Sequence, residues 1–272
     1  MEPHDPTPIP PSEAAETNRS GSPVSAGAAG SHASGRSGAV RLWALGAGAA
    51  AALVSWLLIE TTLDSFRPTA TPKGTRAFLA PGADERAAAV TRNAALAMGL
   101  MGATVGLSLG MAGGLARQSA RAGAVAAFLG LVMGAAAGAG AAVAAVPLAS
   151  RIQEQDPGNL SAEMASSLVV HGLPWAAVGA VGGLVFSIGL RGPAGAGRGL
   201  LGGLMGAFAG AFFYEIIGAL ALPGNKIIDP VAATSGVRLL AQVLAVIPAA
   251  AGVPVLIPYA ADRRSERAFE SF

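Results

Sequence analysis

Apolar residues in this chain gather into six long runs separated by short polar breaks. The runs are Leu42–Leu63, Ala94–Ala116, Ala122–Leu148, Ser167–Leu190, Gly199–Leu222 and Val237–Ala260. Each is long enough for a helix to cross the roughly 30 Å hydrocarbon core of a bilayer. None alternates apolar with polar over about ten residues, as a strand of a membrane barrel would. Backbone groups in lipid must be satisfied within the segment. The pattern therefore predicts an all-α, polytopic membrane protein. Its six-transmembrane-helix bundle fills 40–262, with helices at 42–63, 94–116, 122–148, 167–190, 199–222 and 237–260.

Two boundaries need comment. Pro174 suits the first turn of a helix, so the fourth span is open to a start near Gly172, with 160–170 as a separate interfacial piece. Pro248, Pro254 and Pro258 each remove a backbone donor from the sixth run, which predicts kinks or a break there. Residues 1–39 are rich in Pro, Ser, Gly and Ala and lack an apolar period. They cannot bury enough surface to offset the entropy of ordering, so the sequence predicts a disordered tail. It is not a signal peptide, whose apolar core would lie near the start. Residues 263–272 form a second polar tail.

Composition strengthens the membrane reading. Of 272 residues, 52% are hydrophobic and 12% charged, about half the charged share usual in soluble domains. Cysteine is absent, which excludes disulfide scaffolds, thiolate metal sites and cysteine nucleophiles. Net charge is +2, and the basic cluster Arg263, Arg264 and Arg267 is interrupted by Glu266. Nucleic acid therefore has no electrostatic footprint here.

Orientation follows from the Lys/Arg bias. The short breaks 117–121 and 191–198 hold Arg117 with Arg121 and Arg191 with Arg198, and the C-terminal flank adds three more arginines. The 64–93 break opposes this bias with Arg67, Lys73, Arg76, Arg86 and Arg92, but short segments weigh most. The expectation is a multi-pass cell-membrane protein with both termini cytoplasmic and the 64–93 loop outside. That loop is the longest exposed stretch and is expected to be solvated.

Within the runs, glycines recur every four residues. Examples are Gly102, Gly106, Gly110 and Gly114; Gly130, Gly134 and Gly138; Gly179 and Gly183; and Gly202, Gly206 and Gly210. Spacing of four places them on one helix face, where backbones approach closely. The sequence thus predicts interfaces packed through Gly and Ala. Leu129–Ala139 and Leu201–Ala211 also agree at eight of eleven positions. This is the signature of either a duplication of helices 2–3 and 4–5 or a shared need for small residues.

Ionisable and polar residues inside spans are the default functional clue. Glu60, Glu215, His171, Gln242 and Arg238 sit on four helices at similar depth, within roughly 5–10 Å of the outer ends at 1.5 Å per residue. They form a candidate proton or ion site. Glu215, the deepest charge, would be the main ligand, with Glu60 and His171 as partners. The competing expectation is structural: Glu60 reaches to the interface, and Glu215 pairs with Arg238 or hydrogen-bonds another helix.

Catalytic motifs are missing. Gly106-Leu107-Ser108-Leu109-Gly110 matches the nucleophile-elbow string, but that elbow needs a strand–turn–helix corner and this one is mid-helix. No H-E-x-x-H, P-loop or dinucleotide fingerprint occurs, and one spanning histidine cannot make a histidine-rich metal site. No enzyme, cofactor or metal is expected. The expected partners are the lipid bilayer and a second copy or membrane partner protein. The expected role is a non-enzymatic structural or assembly component, with a small-solute or ion transporter or channel as the alternative.

Overall fold

A computed structural model describes residues 27–63, 65–67, 72–73, 77–78, 82–221 and 229–256. It is a bundle of six helices in chain order: α1 Gly27–Thr62, α2 Ala83–Ala116, α3 Ala120–Gln155, α4 Leu160–Arg191, α5 Ala196–Ala221 and α6 Ser235–Leu256. All six are long and apolar enough to cross a membrane, α1 through Gly38–Thr62. The 3-10 turn Pro193–Gly195 joins α4 to α5, and Pro72–Lys73 pairs antiparallel with Ala77–Phe78 between α1 and α2. The α1–α2, α3–α4 and α5–α6 connections share one end of the bundle, here the distal end. The tight α2–α3 and α4–α5 connections mark the proximal end.

Several helices outrun their apolar stretches. Helix α1 begins at Gly27, inside the segment expected to be a disordered tail, and residues 1–26 and 257–272 lie outside the described ones. Once a helix is nucleated in the apolar run, extending it fixes one residue per hydrogen bond gained, so adjoining Gly-, Ala- and Ser-rich sequence can join it. Helix α2 gains Ala83–Asn93 in the same way, with Asp84 and Glu85 in its first turn complementing the helix dipole. Helix α4 starts at Leu160, where the Asn159 side chain accepts from Ser161 N at 3.0 Å. It runs unbroken through Pro174, so 160–170 is not a separate piece. Helix α6 likewise continues through Pro248 and Pro254, and the expected break is absent. Pro258 lies outside the described residues.

The helices form a closed ring in which every helix packs on its sequence neighbours and α1 closes onto α6. Across the ring, α4 packs on α2 and on α6. The even-numbered helices therefore line the middle. In its most apolar window α4 buries 61% of residues, against 28% for the segment containing α5. Met101, Val105 and Leu109 of α2, Trp175, Val178 and Phe186 of α4, and Val246 and Val253 of α6 form the core. Large apolar residues such as Leu57, Phe128, Met205 and Phe212 remain on the surface. That costs nothing in a bilayer, whose acyl chains are as apolar as leucine.

Small residues decide how close the helices come. Gly102 faces Gly134, Gly106 faces Gly130, and Gly114 faces Gly123 across α2 and α3, and a Cβ on the α2 glycines would overlap the facing backbone. Gly179 and Gly183 meet Gly203 and Gly199 across α4 and α5 in the same way. The second glycine row of α5, Gly202, Gly206 and Gly210, turns to Gly252, Pro248 and Leu244 of α6. This bears on the internal match. Gly130 and Gly134 face the preceding helix, whereas their counterparts Gly202 and Gly206 face the following one. The two strings thus reuse one packing solution in opposite directions.

The proximal α2–α3 connection is equally tight. Gln118 adopts a left-handed conformation (φ 62°), while Ser119 N donates to Gly114 O at 2.9 Å, closing the end of α2 as helix C-caps do. The Ser119 hydroxyl then accepts from Ala122 N at 3.3 Å to start α3.

The packing argument predicts a contrast between two glycines. Gly106→Ala forces α2 from α3 and should destabilise the bundle by about 1–3 kcal/mol. Gly140→Ala, whose Cβ meets nothing within 4 Å, should change stability by less than about 0.5 kcal/mol. Reversible unfolding in mixed micelles measures both.

Candidate functional site

Polar side chains concentrate at the distal end, and α4 supplies their framework. Ser167, His171 and Trp175 are spaced by four, so they stack on one face of α4. Facing them, α5 presents Tyr214 and Glu215. The Ser167 hydroxyl donates to Glu215 Oε2 at 2.6 Å, and His171 Nδ1 lies 2.8 Å from Glu215 Oε1. One carboxylate is thus held by two side chains one helical turn apart. The His171 side chain is 3% exposed and that of Glu215 18%. The His171 ring meets Tyr214 edge-on with centroids 5.0 Å apart, and Trp175 lies 5.7 Å from His171 and 5.4 Å from Tyr214.

A second pair joins the two ends of the chain. Arg238 Nε and Nη2 each donate to a carboxylate oxygen of Glu60 at 2.8 Å. Its Nη1 donates to Ala232 O at 2.7 Å and Ala233 O at 2.9 Å. Glu60 sits in the last turn of α1 and Arg238 in the first turn of α6. Each has the wrong sign for its own helix dipole. The fork-to-fork geometry offsets that penalty by matching a planar guanidinium to a carboxylate. The pair also pins the connection before α6 to the end of α1, helped by Trp56 Nε1 donating to Ser235 O at 3.2 Å.

Gln242 completes the set. Its Oε1 accepts from the buried Ser55 hydroxyl at 2.7 Å, linking α6 to α1 one turn below the ion pair. The five residues singled out from sequence therefore do not form a single cluster around Glu215. They form the Glu60–Arg238 ion pair, the His171–Glu215 hydrogen bond and, through Gln242 and Ser55, one α1–α6 hydrogen bond. Glu60 is not a partner of Glu215, because Arg238 occupies both its oxygens. Glu215 does not pair with Arg238 either, because His171 and Ser167 hold it.

Cavities connect these groups. An open vestibule of about 250 Å³ at the distal end is bordered by Thr62, Asn93, Leu96 and Ala233. Below it lies a chamber of about 20 Å³ lined by His171, Trp175, Tyr214 and Gln242. Ile59, Ala97, Val231, Ala232 and Arg238 line both, so the two are adjacent. Glu60 and Glu215 stand behind this wall, each bound to a lining residue. Trp175 Nε1 is buried and has no hydrogen-bond partner in the protein. A buried donor of this kind is uncommon.

The proximal half contrasts with this. Ser187 is fully buried between glycine rows, its hydroxyl without a protein partner and set against Gly199. Ser108 borders an apolar groove between α1 and α2 together with Trp43 and Leu115. The string from Gly106 to Gly110 lies within uninterrupted helix α2, away from any corner. Among the described residues, no three His, Asp or Glu side chains gather as a metal-ligand set.

Sequence reasoning missed Ser55, Ser167, Trp175 and Tyr214. The signal was present for two of them. Ser167 and Trp175 flank His171 at a spacing of four on the same helix. Ser55 and Tyr214 give no such signal, because their partners lie on other helices.

The two α1–α6 contacts predict coupling between distant positions. A double-mutant cycle of Glu60→Gln and Arg238→Gln should return about 1–3 kcal/mol of interaction energy. Additive effects in unfolding experiments would show that the pair is not held as described.

The chain matches no protein-family profile, no curated protein and no solved structure, so its function has to be read from its own geometry.

Proposed function

We propose that this integral membrane protein is a non-enzymatic structural or assembly component of the cell membrane, built as a glycine-zipper scaffold that is sealed through its proximal half. One observation carries the reading: the glycine contacts of α2 with α3 and of α4 with α5 leave no room for a side chain between the backbones. Alternating-access transport requires interfaces with two arrangements, and helices in backbone contact have little freedom to slide or part. The distal polar groups are engaged with one another, as structural clasps are. The exposed Phe208 and Phe212 of α5 and Phe128 of α3 suit lipid, a second copy or a membrane partner protein.

The alternative is a small-solute or ion transporter or channel. It is favoured by the adjacent vestibule and chamber, whose walls include Arg238, Gln242 and His171. Proteoliposome flux separates the two. The scaffold reading expects proton and monovalent-ion flux at background for both wild type and Glu215→Gln. Saturable wild-type flux that falls to background in Glu215→Gln would replace the scaffold with the transporter.

The arginines at the proximal connections support a cytoplasmic location for that end and for both termini. The chain has no cysteine, so single cysteines report topology cleanly. A cysteine at exposed position 194 should be shielded from an impermeant reagent in intact cells, and one at exposed position 84 should react. The reverse pattern would invert the orientation.

A further inference from the structure

We propose that His171 is a proton-binding site reached from the distal aqueous phase through the vestibule and chamber, with Glu215 as its fixed counter-charge. The inference goes beyond the scaffold reading and does not depend on it, since a site that binds a proton from one face need not pass it to the other.

The hydrogen-bond inventory of the chamber supports this. Nδ1 of His171 is engaged by Glu215, which leaves Nε2 as the ring's second site. Trp175 Nε1 is a donor without a protein partner. Gln242 gives its Oε1 to Ser55, so its NH2 group is the part left for other partners. These three side chains line a chamber of about 20 Å³, enough for one water molecule. A water there would accept from Trp175 and Gln242 and donate to His171 Nε2. That arrangement satisfies the orphaned indole and sets a proton donor against the one free ring nitrogen. The chamber adjoins the vestibule at Ile59, Ala97 and Arg238, and the route we propose crosses there.

The surrounding charges are compatible with a proton arriving. From α5, His171 faces Glu215 and Tyr214. From α6, Arg238 lies across the chamber, but its charge is matched by Glu60 of α1 through two hydrogen bonds. Helix α2 contributes only uncharged Ala97 and Met98 to the chamber. On α4 itself the nearest charge in sequence is Glu163, two turns away, and α3 contributes no residue to the chamber lining, its Gln153 being bound to Ser166. In the uptake step the chamber water passes one proton to Nε2 and regains one from the vestibule. An imidazolium–carboxylate pair replaces the neutral ring and carboxylate, and no other bond changes.

The test reads the histidine directly. The chain holds three histidines, so replacing His4 and His32 with Gln leaves His171 as the only 15N-histidine signal in nanodiscs. The proposal expects its ring nitrogens to convert reversibly from neutral to imidazolium positions on acidification. A ring that keeps one form throughout overturns it. Access is tested in vesicles with Trp43→Phe and Trp56→Phe, where Trp175 is the remaining fluorophore. Protonation of a ring 5.7 Å away should lower its emission, and His171→Gln should abolish the response. After an external acid jump, the responding fraction should equal the fraction with the distal face outward, counted by labelling Asp84→Cys. A response that waits for a protonophore in that fraction overturns the route. Neither readout measures flux, so failure here leaves the scaffold reading standing, and steady flux leaves the site standing.

Discussion

Backbone-to-backbone contact between helices is the constraint on which the rest of this structure depends. In water, a bundle is held by the removal of apolar side chains from solvent. In a bilayer that force is missing between helices, because lipid tails solvate leucine as well as a protein core does. What remains is dispersion and weak Cα–H···O contact, and both need short distances. The chain meets the need by placing glycines where helices cross and sending its large side chains outward. Gly106 against Gly130 and Gly183 against Gly199 are the clearest cases. The result inverts a soluble core, with small residues inside and residues such as Phe128 and Phe212 outside.

This packing also determines where polar chemistry can sit. Helices in backbone contact leave no space for a functional side chain, so the proximal half holds little beyond the Ser187 hydroxyl. Toward the distal end, bulkier residues of α4, α5 and α6 keep the helices apart. There the stripe of Ser167, His171 and Trp175 meets Tyr214 and Glu215, and Arg238 spans from α6 to α1. The Glu60–Arg238 ion pair and the His171–Glu215 hydrogen bond both lie at that end. Glu60 and Arg238 each oppose a helix dipole, and each would be poorly placed without the other.

Much of the fold was legible in the sequence, and for one reason. The bilayer requires long apolar helices, so six apolar runs translate directly into six elements. The glycine spacing likewise announced close packing, because a period of four can only make one face. Helix ends were less legible. Ala83–Asn93 and Leu160–Ser166 are helical because neighbouring turns extend into them, which no local apolar pattern records. Partnership at the site was the least legible. Depth along each helix correctly put Glu60, His171, Glu215, Arg238 and Gln242 near one end. It could not say that Arg238 faces α1 while His171 faces α5, because that depends on helix rotation, and rotation is set by which glycine row meets which neighbour. The string shared by α3 and α5 shows the same limit, since identical rows face different partners.

The claim that backbones touch can be measured without altering any side chain. Protein labelled at glycine Cα with 13C and reconstituted in lipid should show strong through-space cross-peaks between Gly106 and Gly130, and between Gly183 and Gly199, at short mixing times in solid-state NMR. Sequential glycines such as Gly113 and Gly114 supply the internal standard. Interhelical glycine peaks close to that standard in strength are the predicted result. Their absence, with the sequential peaks intact, would contradict the account, because helices separated by a side chain's width could neither seal the proximal half nor confine the polar groups to the distal end.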